Sequence, residues 1–195
     1  MHPQQLLIEL ASQYDVQTAN QALADARTRQ FARAWLAIDL SRPLSAILHG
    51  DLAGFGLPYV KGHTFYRYCR DSRLAEACEK RVASKADLVV TVDDRPHFFE
   101  FHYLHHQCCH RTAWQKLYQD VERVRVMQSV TEQKVNLIVA LWGTFTGKHI
   151  EMFQWFDNNQ NAVYALDSSL SGSSQVSRLV HIQKSGHPRL ILVVV

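Results

Sequence analysis

With 195 residues, 47% of them apolar and 20% charged, the chain can bury a sizeable core, which excludes a disordered polymer. Lysine and arginine total 21 against 18 acids, leaving a formal charge of +3 with the eleven histidines neutral. That mild basic excess permits an anionic partner but falls short of the strong excess of a domain built on phosphate contacts. Gln4, Gln5 and Glu9 interrupt the first ten residues, unlike a secretory leader, and no stretch reaches the ~18 apolar residues that span a bilayer. Cys69, Cys78, Cys108 and Cys109, the last two adjacent, do not have the spacing of a disulfide framework. A cytoplasmic, reducing compartment and no membrane are therefore expected.

The first forty residues read as helical. Residues 4–14 place Leu6, Leu7, Leu10 and Ala11 at helical spacing, and residues 22–40 continue with Phe31, Ala34, Trp35 and Ile38 on one face. Pro43 should end that helix, and residues 41–62, with Gly50, Gly54, Gly56, Pro58 and Gly62, should be loop or turns. A third helix is predicted over 73–84, capped by Asp71 or Ser72, with Leu74, Ala77, Cys78 and Val82 as its buried stripe. Residues 87–92 (DLVVTV) and 97–104 (HFFEFHYL) read as two strands of a hairpin around Asp93, Asp94, Arg95 and Pro96.

An amphipathic helix follows over 112–128, with Trp114, Leu117, Tyr118, Val121 and Val124 on one face. Residues 135–142 (VNLIVALW) are a continuous apolar run, the signature of a strand buried on both sides. Residues 149–156 fit helix or strand, 162–166 and 178–183 short strands, and the serine-rich 168–174 a loop. Residues 189–195 read as a strand that must pair to be safe from aggregation, and pairing across a homodimer is one way to do so.

Candidate chemistry gathers on the second hairpin strand. Side chains alternate along a strand, so Glu100 and His102 project to one side while Phe99, Phe101 and Tyr103 project to the other. Carboxylates on neighbouring strands are the oxygen ligands that magnesium or manganese takes beside a substrate phosphate, and such an ion lowers the pKa of an attacking water. A histidine can serve as a general base. Nearby, His105, His106, Cys109 and His110 are the residue types that hold zinc, and helical geometry from residue 105 would put His106 and His110 on one face. Lys116, Arg111 and Arg123, with Arg27, Arg29, Arg33 and Arg125, could line a phosphate-facing surface. No nucleophile elbow and no phosphate-binding glycine loop is present.

The order helix, strand, turn, strand, helix, strand over 72–142, with Ala86-Asp87 opening the first strand and Glu100-Phe101-His102 on the next, resembles the core of the PD-(D/E)XK nuclease superfamily. Alanine stands where that family has proline, and histidine where it has its signature lysine. The resemblance covers about a third of the chain. It implies a restriction-endonuclease-like α/β fold over 1–195, a mixed central sheet flanked by helices. Residues 1–62 would then be a helical extension and loop, 72–142 the nuclease-like core and 143–195 C-terminal strands.

The resemblance further implies a metal-dependent nuclease with Asp87, Glu100 and His102 as catalytic residues. Magnesium or manganese would lie on Asp87, Glu100 and Glu79, the last standing for the family's acid on the preceding helix, a role Glu76 could also fill. Lys116 could supply the missing cation. On this reading Glu100→Gln removes cleavage and leaves the fold intact. Two other readings stay open: a nuclease-fold protein that binds nucleic acid or a protein partner without cutting, and a zinc-binding interaction protein.

Overall fold

The computed structural model describes all residues except 70–73, 78, 109, 110 and 161, and for 74, 75 and 111 the backbone alone. It is a mixed α/β structure whose seven-stranded sheet has helices on both faces. The N-terminal helices are α1 (Pro3–Gln13), α2 (Val16–Ala24), α3 (Ala26–Gln30) and α4 (Ala32–Leu48). The single helix expected over 22–40 is thus divided, because Asp25 leaves helical geometry and its carboxylate accepts the N–H of Arg27 to start α3. Pro43 does not stop α4. It removes one backbone donor, but Leu40, Leu44 and Ile47 are buried against the sheet on either side of it, and that packing carries the helix to Leu48.

Strand β1 (Asp51–Phe55) follows, inside the segment expected to be loop, and pairs antiparallel with β5 (Leu88–Val92). Between them β2 (Val60–Lys61), β3 (Thr64–Tyr68) and β4 (Leu74–Ala77) form a separate small antiparallel sheet. Here the helix predicted over 73–84 fails. Residues 74–77 are a strand against the aromatic β3, Phe65 opposite Ala77 and Tyr66 opposite Glu76, and Val82 of the supposed buried stripe is 41% exposed. The apolar spacing was compatible with a helix, but β3 offers those four residues backbone partners that a helix would forgo. Asp71, Ser72 and Cys78 lie outside the described residues.

The rest follows the sequence closely. β5 pairs antiparallel with β6 (Arg95–His105), α5 (Arg111–Thr131) crosses over, and β7 (Lys134–Gly143) returns parallel to β6. Asp93 and Asp94 of the connecting turn take positive φ of 49° and 59°, a conformation aspartate tolerates better than most residues. Residues 149–156 belong to a helix, α6 (Gly147–Asn159), followed by β8 (Tyr164–Asp167), β9 (Val176–Arg178) and β10 (Arg189–Val194). A 3-10 turn, Leu179–His181, occupies half of the strand expected over 178–183. β10 lies between β7 and β8, every residue buried, so its edges are satisfied within the chain and unavailable to a second copy.

Two cores result. Phe99, Phe101, Ile138, Ala140, Leu190 and Leu192 face α1, α2 and α4; Phe98, Leu104, Leu137, Val139, Ile191 and Val193 face α5 and α6. The predicted alternation on β6 holds, with Glu100 and His102 on the α5 side. No helix among the described residues is long and apolar enough to cross a membrane.

Candidate functional site where two strands part

β5 begins at Leu88, opposite Phe99, so on that side the edge of β6 from Phe101 to His105 has no strand beside it. Asp87 fills the fork. Its Oδ2 accepts the Phe101 N–H at 2.7 Å in place of a strand partner, and both its oxygens accept from Arg33 Nε at 2.9 and 3.0 Å. Arg33 reaches in from the first turn of α4, and its Nη2 lies 4.0 Å from Glu100 Oε2.

Glu100 is fully buried. A buried carboxylate must be paired and hydrogen-bonded to be tolerated, and both conditions are met. Tyr59 donates its hydroxyl to Oε1 at 2.7 Å, and Arg123 Nη2 from α5 is ion-paired to Oε2. Burial pushes the Tyr59 phenol well above its ordinary range, so it stays a donor. Burial also lowers the Arg123 pKa, and nearby Arg33 lowers it further. Arg123 contacts Asp120 as well, at 3.3 Å, one helical turn back. Asp120 in turn holds His102 Nδ1 at 2.7 Å.

A cavity of about 420 Å³ opens on this fork, lined by Arg29, Arg33, His102, Lys116, Gln119 and Asp120 among others. Arg29 is itself anchored, donating to the Leu23 and Ala24 carbonyls with its guanidinium 4.7 Å from the Trp142 ring centre. Lys116 is exposed and has no carboxylate partner among the described residues.

The expected residues are thus partly brought together. Asp87, Glu100 and His102 share the fork, with Lys116 at its mouth. Glu79 does not join them: it is exposed and pairs with Arg81 at 3.2 Å, and Glu76 lies opposite Tyr66 in the small sheet. Arg123 is an internal counterion and not a phosphate-facing cation; of Arg111 only the backbone is described. A divalent ion fits the described donors poorly. Both carboxylates already face guanidinium groups, and no group of three histidine, cysteine or acidic side chains with metal-holding geometry occurs among the described residues.

The histidine cluster takes another form than a helix from residue 105. His105 ends β6 with its ring stacked on Trp142 at 5.3 Å, His106 opens a 3-10 turn, and Cys109 and His110 lie outside the described residues. His149 hydrogen-bonds the His106 carbonyl at 3.1 Å and caps α6 through Thr146. Burial lowers the pKa of His105 and of His106, and each is lowered further by a neighbouring histidine, His106 beside His105 and His149 beside His106.

A histidine that binds its proton less readily folded than unfolded contributes stability above its unfolded pKa of about 6.5 and loses it as pH falls below. The Tm should therefore drop between about pH 7.5 and about pH 5.5, and drop less in His106→Gln. An unchanged slope in that variant would remove His106 from the acid response.

Tyr59 and Asp120 escaped the sequence reading, and Arg33 entered it only as one of several helix cations. Asp120 left a trace, since Ala113, Leu117, Val124 and Met127 form a core-facing stripe on α5 and Asp120 is the one acid at its three-four spacing. Tyr59 left none, and neither did the pairing of Arg33 with Asp87, the partners standing 41 and 54 residues away. Comparison with protein-family models, with curated proteins and with solved structures found no match to this chain.

Proposed function

We propose that the protein is a divergent relative of the PD-(D/E)XK nucleases that binds nucleic acid at the fork between β5 and β6 and does not cut it with a divalent ion. The antiparallel β5–β6 pair, the α5 crossover and the parallel β7 support the nuclease-like core, as does the position of Asp87 and Glu100 at the point where the strands part. One observation carries the functional half. The negative charge that a metal would neutralise is neutralised within the chain, by Arg33 on Asp87 and Arg123 on Glu100. Lys116 and Arg29 face the cavity with their charge unspent on either acid, and Arg33 lines it while paired to Asp87, a set of cations that suits a phosphate.

Binding of single-stranded and duplex DNA and RNA, followed by fluorescence anisotropy across a salt series, tests this. Affinity should fall steeply with salt, and Lys116→Ala should weaken every ligand and reduce the salt slope by about one. Absence of binding at low salt would overturn the reading. Magnesium- or manganese-dependent nicking that disappears in Asp87→Ala would replace it with the cleaving form.

A further inference from the structure

The pair His102–Asp120 is not needed to satisfy either carboxylate of the fork, yet it faces the same cavity as Lys116. The Asp120 carboxylate, paired with Arg123 at 3.3 Å, offers acceptor oxygens to the ring, so the hydrogen in the 2.7 Å contact is assigned to His102 Nδ1. That fixes the tautomer and leaves a lone pair on Nε2. A histidine whose Nδ1–H is held by a carboxylate is a general base ready to act without metal. The side chains of His102 and Asp120 are 12% and 18% exposed, enough shielding to keep the contact and enough opening for a ligand atom to reach the ring. Lys116 supplies an ammonium with no carboxylate partner among the described residues, and Arg33, paired with Asp87, a guanidinium, on the walls of the same cavity.

We propose that this fork cleaves single-stranded RNA without metal, with His102 as general base, Lys116 as general acid and Asp120 as the positioning residue. The inference rests on the reading that the fork binds nucleic acid. RNA is the substrate class because its 2′-hydroxyl places a nucleophile beside each phosphorus, so an enzyme need supply only a base, an acid and charge stabilisation. His102 Nε2 takes the 2′-hydroxyl proton, and the oxygen's electron pair forms a bond to the adjacent phosphorus. The bond from phosphorus to the 5′-oxygen breaks, its electron pair leaves with that oxygen, and the Lys116 ammonium protonates it. The products are a 2′,3′-cyclic phosphate and a free 5′-hydroxyl. Water returns the proton from imidazolium to amine, and no oxidant, reductant or cofactor is consumed. Arg33, beside the phosphate, offsets the charge that builds on its oxygens.

The test is incubation of end-labelled single-stranded RNA with the full chain in excess EDTA, with the products identified by mass. Fragments ending in 2′,3′-cyclic phosphate are expected, while DNA of the same sequence binds and stays whole. His102→Gln should lower the rate by about 10²- to 10⁴-fold and leave RNA affinity within a few-fold. Should that variant fail to fold, the exposed Lys116→Met carries the same expectation for rate. Asp120→Asn should slow cleavage and move the acidic limb of the pH–rate profile to lower pH, since loss of its charge makes the imidazolium a stronger acid, a shift that a purely structural role would not produce. RNA that binds but is not cut, or is cut equally by His102→Gln, overturns the ribonuclease proposal and leaves the binding reading standing. RNA that does not bind overturns the ribonuclease proposal, and RNA and DNA that both fail to bind overturn the binding reading as well.

Discussion

Replacing Arg123 by alanine should cost the protein about 3–5 kcal/mol, because the substitution leaves the fully buried Glu100 carboxylate without its close counterion. For a chain of this length that corresponds to a Tm lower by roughly 6–20 °C. Tyr59 and Arg33 cannot fully compensate, since one hydroxyl donor offsets none of the carboxylate's charge and Arg33, 4.0 Å from Glu100, is already committed to Asp87. Glu100→Gln should cost less, because Arg123 keeps Asp120 and the amide oxygen can still accept from Tyr59. It is nonetheless a stability variant as well as a charge variant, and the sequence-based expectation that it would leave the fold untouched does not survive its burial. The double change Glu100→Leu with Arg123→Met should recover much of the loss, as buried ion pairs replaced whole by apolar groups often do. Thermal unfolding of the four proteins checks this. A Tm for Arg123→Ala within about 2 °C of the parent would mean that Glu100 is neutralised by something other than Arg123.

What the sequence revealed follows from the range of the forces involved. Strand β7 and most of β6 were legible because their apolar runs and alternation are local signals that burial in a central sheet reinforces. The partition of β6, with Glu100 and His102 to one side, came from the same period of two. β4 was misread because LAEA carries no strand preference of its own and is a strand only where β3 lies beside it. Pro43 was misread for the opposite reason: a local rule lost to three buried leucine and isoleucine contacts that no window reveals. The site divides likewise. Asp87, Glu100, His102 and Lys116 could be named from position along the chain, but the two arginines that decide what the acids can do could not. Arg123 and Arg33 were visible only as helix cations, and Arg33 reaches its acid across 54 residues of sequence.

Arg33→Ala is the second substitution with a large expected effect, and its sign separates the two readings of the acid pair. Without that guanidinium, Asp87 keeps only the Phe101 N–H, and Asp87, Glu100 and Asp120 face a single remaining arginine. Three carboxylates against one guanidinium make a local field that favours a hard dication, and Asp87, part-exposed, is the point of entry. The variant should therefore bind manganese where the parent responds weakly. It should gain about 2.7 kcal/mol of stability once free manganese exceeds its dissociation constant a hundredfold, a rise in Tm of roughly 5–11 °C. Affinity for nucleic acid should fall in the same variant, since the cavity has lost a cation. Titration followed by manganese electron paramagnetic resonance and by Tm reads both changes. Equal manganese binding by parent and variant would mean that Arg33 is no obstacle to the ion and would return weight to metal-dependent cleavage. Failure of both to bind, with Asp87 freed, would mean that Arg123 alone is enough to close the fork to cations.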